Sequence, residues 1–486
     1  MAEKVTKATV VKSLIWTFLE KGGSQGIQFI ISIILARLLA PSEYGIVALI
    51  TIFIQLATAF IQTGFGTALI QKKEADHVDF STIFFLSLSI AVVCYTILFV
   101  SAPFIAAFYN QEILVNIVRV MGLSCFSTAF TCPQYAYIAK YMEFKKRFYG
   151  STSANLISGV IGVILAYNGF GVWALVVQQL IYGYIAFGIL FITVKWRPTW
   201  DFSFEKMKYL VKFSYKLLFS SLLSTVVGNL YGLIIGKFYS SSQLGIYDKG
   251  QHFPKFIATN LDGAIQTVSL PTLSAFGDAR ERQKQITRKF ISLSSYVLMP
   301  CMFGLAAVAE PLVSVLLSDT WIGCVPYLQF GCITFAFLSI NSSSLSAINA
   351  VGRSDIYLKL EIIKDIIIVG TLIVTARLGM MAIAIGQVVA NLIVVLINIL
   401  PNRKLLNYKL GEELKDFLPS LFLSIMMAVI IYPIQFLQLH NIILLILQVS
   451  GGILIYVLVS VALRFEPFFY IMNFIKETKN NAKFKG

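Results

Sequence analysis

Hydrophobic runs of about 20 residues recur along the whole chain, and short polar connections separate them. A helix of that length crosses the roughly 30 Å hydrocarbon layer of a membrane. The pattern therefore predicts an all-α integral membrane protein with about fourteen transmembrane helices. The predicted spans cover approximately residues 13–39, 44–67, 81–108, 113–139, 148–168, 172–194, 213–237, 245–275, 289–317, 326–350, 356–376, 380–400, 417–436 and 441–463.

Three of these runs carry polar residues at helical spacing. Residues three or four positions apart share one face of a helix. The polar positions are Lys21, Gln25, Gln28 and Ser32 in span one, Thr51, Gln55, Thr58 and Gln62 in span two, and Asp248, His252, Lys255, Thr259, Asp262 and Gln266 in span eight. Because a polar face against lipid is costly, these stripes predict a water-filled cavity between two halves of the protein.

The chain contains an internal repeat. The segment Ala36–Ile46 aligns with Gly236–Ile246 at an offset of 200 residues, with a cationic residue, a polar turn and a Gly-Ile pair at matching positions. Gly171–Gln179 aligns with Gly379–Gln387 at an offset of 208. Six spans per copy is an even number, so both copies start on the same side of the membrane. They form parallel repeats related by a pseudo-twofold axis along the membrane normal.

The repeat divides the chain into four regions. The sequence predicts an N-lobe at 1–194, a basic cytoplasmic linker at 195–212, a C-lobe at 213–400, and spans thirteen and fourteen with a basic tail at 401–486. The linker is expected to lie along the inner membrane surface as an amphipathic segment.

Composition supports the membrane assignment. The chain of 486 residues is 57% hydrophobic and only 13% charged, with a mean hydropathy of +0.78, whereas soluble domains carry about 25% charged residues. The formal net charge of +15 reflects basic loops, and no motif for nucleic-acid binding is present. The six cysteines form no C-x-x-C pair and are interpreted as core residues, so neither a metal site nor a cofactor is predicted.

The basic residues also predict the topology. Most of the 39 Lys and Arg residues fall in every second connection, such as 145–147, 195–216 and 280–289. The intervening connections 109–112 and 318–325 contain none. The positive-inside rule then places both termini in the cytoplasm. No cleavable signal peptide is expected, because Glu20 and Lys21 interrupt the first apolar run.

A few polar and charged residues within spans are candidates for function. Lys21, Lys249 and Lys255 lie too deep in their spans to be explained by snorkelling alone. Together with neutral hydrogen-bonding residues they form the predicted substrate site: Lys21, Gln25, Gln28, Gln55, Gln62, Asn229, Lys249, Gln251, Lys255 and Asn260. Asp248 and Asp262 are candidates for ion coupling. Because Asp262 lies two turns from Lys255, a direct ion pair between them is not expected.

The first turn and the two-lobed repeat carry a family resemblance. The segment Arg37-Leu38-Leu39-Ala40-Pro41-Ser42-Glu43-Tyr44-Gly45-Ile46-Val47-Ala48 resembles the R-x-L-x-P-x-E-Y-G-x-x-A turn of Wzx-type polysaccharide flippases, which belong to the MATE-like MOP exporter superfamily. The resemblance implies a transporter, not an enzyme. Its substrate would be an undecaprenyl-pyrophosphate-linked oligosaccharide for O-antigen, capsule or exopolysaccharide, moved by alternating access across the bacterial inner membrane. Membrane lipids, and the polymerase and export machinery, are the implied partners.

Other functions remain open on the residues alone. A multidrug exporter of the same fold would be expected to use embedded acids, whereas the embedded balance here is basic. A glycan polymerase or glycosyltransferase would need larger outer loops or catalytic acids than the sequence shows. A channel or scramblase is less compatible with two repeated halves, which favour rocking motions.

Overall fold

The structure is a computed structural model that describes residue 16 and residues 19–62, 64–72, 75–274, 279–437 and 439–483. It consists of helices and short connections, with no β-strand in these ranges. The chain divides into two compact units, Met1–Gly245 and Ile246–Gly486. The lobe boundaries drawn from the repeat are a different division and stay a prediction.

The first unit begins with a π-helical turn, Glu20–Ser24. Its helices are α1 (Gln25–Leu38), α2 (Pro41–Gln62), α3 (Phe65–Gln71), α4 (His77–Tyr109), α5 (Leu114–Gly122), α6 (Ser124–Tyr141), α7 (Phe144–Tyr167), α8 (Val172–Thr193) and α9 (Phe204–Phe238). The division between the units falls near the start of α10 (Ser241–Ser274).

The second unit contains most of α10 and nine further helices. They are α11 (Arg280–Ala307), α12 (Ala309–Leu316), α13 (Val325–Ala336), α14 (Leu338–Ala350), α15 (Ser354–Thr375), α16 (Met380–Leu405), α17 (Leu410–Ile431), α18 (Asn441–Ala462) and α19 (Glu466–Lys483). Short 3₁₀ turns at Asp319–Cys324 and Tyr432–Phe436 complete the described part.

Eleven helical segments of the described chain are long and apolar enough to cross a membrane, which confirms an all-helical membrane protein. Each coincides with a predicted span. The remaining three predicted spans do not pass this test. The first, 13–39, lies partly outside the described residues, whereas α10 and α15 carry several charged residues. The count of fourteen spans therefore stays a prediction.

Two copies of the repeated turn meet inside the first unit. A Cβ atom added to Gly45 would lie 1.7 Å from the carbonyl oxygen of Ser241. One added to Gly245 would lie 2.0 Å from the carbonyl oxygen of Pro41. Pro41 and Ser241 are repeat mates, as are Gly45 and Gly245, so the contact is reciprocal, like an isologous interface about a twofold axis. Only glycine permits this backbone approach.

A charged cluster lies at the start of α4. The Asp79 side chain is 1% exposed, and its carboxylate accepts hydrogen bonds from Lys72 Nζ at 2.7 and 2.8 Å. Asp76 caps the helix by accepting from the Asp79 backbone N–H at 2.9 Å. Burial by itself would raise the pKa of Asp76, but hydrogen bonds from Lys206 and from the Asp79 backbone N–H lower it to about 2. The Asp76 carboxylate therefore stays ionised at physiological pH.

The predicted linker is only partly an independent segment. Trp196 is 5% exposed and belongs to the core of the first unit, with its ring centroid 5.9 Å from that of Phe80. Trp200 is 93% exposed, and from Phe204 onward the chain is already part of α9. An aromatic contact thus ties the start of the linker to the start of α4.

Candidate functional site

The structure places several predicted site residues of the first unit along α1 and α2. Gln28 is exposed and Gln62 is half-buried, and both line one cavity. Gln25 is half-buried, and its Oε1 has no hydrogen-bond partner among the described residues. Lys21 lies in the π-helical turn, and its side chain is outside the described part of the structure.

Gln55 and Asn229 are brought together by the packing of α9 on α2. Asn229 Nδ2 donates to Gln55 Oε1 at 2.8 Å and also to the carbonyl oxygen of Thr225 at 2.8 Å. Gln55 remains exposed, so its second lone pair and its NH₂ group are accessible. The sequence assigned both residues to one polar site, and the hydrogen bond shows that they are neighbours.

The predicted residues of the second unit differ in exposure along α10. Lys255 and Asn260 are exposed, and Asn260 Nδ2 donates to the carbonyl oxygen of Phe256 in its own helix at 2.8 Å. Lys255 makes no ion pair with another described residue within 4.0 Å. A lysine here, 14 residues and about 21 Å from the start of the helix, needs water or an anion.

Lys249 and Gln251 are buried in the second unit rather than placed on an open face. Lys249 is 5% exposed, and its Nζ lies 6.0 Å from the ring centroid of the buried Trp321. Gln251 Nε2 donates to the carbonyl oxygen of Tyr327 at 3.1 Å, while its Oε1 has no partner in the described chain. Neither side chain lies on an open face of the second unit, and their binding role stays a prediction.

The two candidate ion-coupling acids have different surroundings. Asp248 is exposed. Asp262 is half-buried against α14, where its Oδ2 accepts from Ser342 Oγ at 2.9 Å. One turn later Gln266 Oε1 accepts from Ser346 Oγ at 2.6 Å. Asp262 Oδ1 is buried with no partner among the described residues, and that oxygen is available to a proton or a cation.

The cavity of the first unit has a volume of about 520 Å³. Its wall comes from six elements, α1, α2, α5, α6, α7 and α8, and most wall residues carry a hydroxyl or an amide. The lining residues are Gln28, Thr51, Ile54, Thr58, Gln62, Met121, Ser124, Ser127, Thr128, Thr131, Tyr135, Asn155, Ser158, Gln178, Gln179, Leu180, Tyr182, Gly183 and Ala186. None of these is charged.

Sequence reasoning found only the α1 and α2 side of this cavity. The α6 side carries a comparable signal, because Ser124, Ser127, Thr128, Thr131 and Tyr135 recur at three- and four-residue intervals. The same test of spacing that identified spans one and two therefore applies to α6. The contributions of α7 and α8, such as Asn155 and Gln178, are isolated polar residues without such a pattern.

An ion pair lies next to the cavity. Arg147 Nε lies 2.9 Å from Glu20 Oε1. The Arg147 guanidinium also lies 5.1 Å from the ring centroid of Tyr135, a lining residue. These two charges are opposite in sign and directly paired, so the pair adds no net charge beside the cavity.

Proteins of similar sequence are named for polysaccharide biosynthesis or transport, and a protein of similar fold is a lipid flippase. The succinoglycan biosynthesis transport protein ExoT of Rhizobium meliloti is 26% identical over 353 residues, covering 73% of this chain and 72% of its own. The lipopolysaccharide biosynthesis protein WzxC of Escherichia coli is 24% identical over 403 residues, covering 80% and 79%. The inward-closed structure of the lipid II flippase MurJ matches with a TM-score of 0.75 at 14% identity, covering 93% of this chain and 99% of its own.

The similarity to MurJ concerns the fold alone, because the identity is low. The family assignment rests on a sequence model described as "polysaccharide biosynthesis protein", which matches residues 34–326. That match contains the repeated turn and the polar stripes of α2 and α10. This chain therefore belongs to the polysaccharide biosynthesis protein family.

Proposed function

We propose that the protein moves an undecaprenyl-pyrophosphate-linked oligosaccharide from the cytoplasmic to the periplasmic leaflet of the bacterial inner membrane. It acts by alternating access, as a transporter and not as an enzyme, and supplies O-antigen, capsule or exopolysaccharide synthesis. Family membership supports this proposal, as do relatives named for succinoglycan transport and lipopolysaccharide biosynthesis. The polymerase and export machinery that use the product are the proposed partners.

The observation that carries the proposal is Lys255, which is exposed and makes no ion pair with another described residue. A lipid pyrophosphate is anionic at one point, and an ammonium is a strong donor to phosphate oxygens. Lys21 of the first unit supplies a second positive charge. Gln55, Asn229 and Asn260 present amides to sugar hydroxyls, because each amide both donates and accepts. Attraction to the anion has to remain moderate, since a transporter must also release its substrate.

The proposal is tested by complementation of flippase-null strains that make chemically different polysaccharides. We expect the gene to restore the surface polysaccharide in at least one strain, and undecaprenyl-linked precursor to stop accumulating there. Restoration of drug resistance in an exporter-deficient strain, with no effect on any polysaccharide, would support an exporter instead.

The proposed topology is tested by labelling single cysteines in whole cells. The positive-inside pattern places the connections 109–112 and 318–325 in the periplasm, and Lys145, Arg197 and Arg282 in the cytoplasm. We expect an impermeant maleimide to label cysteines in the first group at once, and those in the second only after lysis. Labelling of Arg282→Cys from outside the cell would contradict the proposed topology.

Asp262 is the candidate for ion coupling that can be tested most directly. Asp262→Asn keeps an oxygen that can accept from Ser342 but cannot carry charge. If the carboxylate couples transport to H⁺ or Na⁺, the variant loses the dependence of transport on that ion while protein levels stay normal. Ser342→Ala is the matched control for the hydrogen bond alone. Transport by Asp262→Asn with unchanged pH and Na⁺ dependence would exclude this role.

A further inference from the structure

We propose that the uncharged cavity of the first unit is a subsite for a neutral sugar ring of the glycan. This inference rests on the proposed function, because it assumes that the transported lipid carries a glycan. It adds a binding region on α6, α7 and α8 that lies outside the predicted site, and it names the class of sugar that binds there.

The size of the cavity fits a small polar ligand. Its volume of about 520 Å³ falls within the roughly 300–1,000 Å³ that is usual for small-molecule sites. Such sites are normally lined by apolar residues with a few polar groups, whereas here most of the lining residues carry a hydroxyl or an amide. A wall of that kind matches a ligand that carries several hydroxyl groups on a partly apolar ring, such as a pyranose.

Several of the polar groups are available for a ligand. Gln62 and Gln178 line the cavity, and their amides make no hydrogen bond with another described residue. Ser124 Oγ is buried and likewise has no partner in the described chain. A buried polar group without a partner is destabilising, so Ser124 Oγ favours a ligand with hydrogen-bonding groups. The half-buried amides of Gln62 and Gln178 can both donate to such a ligand and accept from it.

Other wall groups form hydrogen bonds or packing contacts within the protein and thereby stabilise the wall of the cavity. Thr131 Oγ1 donates to the carbonyl oxygen of Ser127 at 3.0 Å. Asn155 Nδ2 donates to Ser24 Oγ at 2.6 Å and so ties α7 to the turn before α1. The stem of Gln178 packs close to Gly162, whose added Cβ would lie 3.0 Å from Gln178 Cβ. Close packing of the side-chain stem thus fixes the position of the Gln178 amide.

The charge pattern selects a neutral ligand. None of the described lining residues is charged, and the adjacent Arg147 is paired with Glu20 at 2.9 Å. A uronic acid or a sugar phosphate would have to lose water without gaining a cationic partner among the described lining residues, which disfavours binding strongly. A neutral hexose or hexosamine derivative carries no such penalty. Tyr135 and Tyr182 add rigid aromatic surface for the apolar face of the ring.

The experiment measures binding to the purified full chain in nanodiscs by isothermal titration calorimetry and ligand-observed NMR. The probes are a neutral disaccharide, cellobiose; an acidic sugar, glucuronic acid; and a sugar-free lipid, geranylgeranyl pyrophosphate. We expect weak binding of cellobiose, and none of glucuronic acid at the same concentration. Gln178→Leu should weaken cellobiose binding at least about 10-fold, because it removes the amide's hydrogen bonds to the sugar. Thr58→Val, which keeps the side-chain shape, is the second variant in case Gln178→Leu fails to fold.

The lipid probe separates this inference from the proposed function. Geranylgeranyl pyrophosphate binding should be unchanged in Gln178→Leu and should weaken in Lys255→Ala. Cellobiose binding that depends on Gln178, without any pyrophosphate binding, would support the subsite and count against the flippase function. Equal cellobiose affinity in the unaltered protein and in both cavity variants, or glucuronic acid binding as tight as that of cellobiose, would overturn the subsite.

Discussion

Lys255→Glu should abolish polysaccharide export at normal protein levels, and Lys255→Ala should reduce it by at least about 30-fold. Loss of one charge from a desolvated ionic contact costs about 2 kcal/mol or more, which corresponds to that factor. Charge reversal goes further because it repels the pyrophosphate. Lys255→Arg should retain much of the activity, since a guanidinium also binds phosphate. The measurement is surface polysaccharide in a complemented flippase-null strain.

The control for Lys255 is a lysine of similar exposure outside the proposed site. Lys359 on α15 is also exposed, so Lys359→Glu imposes the same charge change on the membrane protein and should leave export near normal. If Lys255 serves only the fold, Lys255→Ala would instead deplete the protein from the membrane, as an immunoblot would show. A stable and fully active Lys255→Glu protein would refute a cationic substrate site.

Gly45→Ala and Gly245→Ala should each impair transport strongly, because the added methyl meets backbone. The new Cβ would lie 1.7 Å from the carbonyl oxygen of Ser241 in the first case and 2.0 Å from that of Pro41 in the second. Neither atom belongs to a flexible side chain, so the two turns must separate. Overpacking of this kind destabilises the state in which the two turns touch by about 1–3 kcal/mol, occasionally more. The equilibrium between touching and separated turns then shifts toward separation by roughly 5- to 150-fold.

A disulfide assay reports the separation directly. Cysteines at Ser42 and Ser242, the repeat mates beside the contact, should cross-link less in either glycine variant than in the unaltered protein. Gly228→Ala and Gly232→Ala on α9 are matched controls, because nothing lies within 4 Å of a Cβ at either position; both should transport normally. Normal transport and cross-linking by Gly245→Ala would show that this contact plays no part in the transport cycle.

The repeated turn could be recognised from the sequence because a close contact between two backbones requires glycine at a fixed position. Gly45 and Gly245 stand at equivalent positions of the two copies, and a close approach of two backbones accepts no other residue. The polar stripe on α2 was equally readable, since lipid would penalise Gln55 and Gln62 on an outward face. Gln55 and Asn229, assigned to one polar site from sequence, are joined by a hydrogen bond of 2.8 Å.

The sequence did not predict which helices pack against one another. The spacing on α10 indicates that Asp262 and Lys255 share a face, but not that Ser342 of α14 covers only the first of them. Lys249 and Gln251 belong to the same helix and have similar local sequence signals, yet both are buried against Trp321 and Tyr327. A one-dimensional pattern shows which residues are polar, and it contains no information about which helix packs against them.

The sequence by itself determined the membrane class, eleven of the helical spans, the repeated turn and the polar spacing on α1, α2 and α10. These properties follow from local quantities, namely hydrophobic length, helical period and the glycine requirement of a tight contact. The tertiary structure alone decided that α6, α7 and α8 complete an uncharged cavity, and that Glu20 neutralises Arg147 beside it. Those features depend on contacts such as the hydrogen bond between Asn155 and Ser24, which are 131 positions apart in the sequence. Such contacts form only when the helices pack.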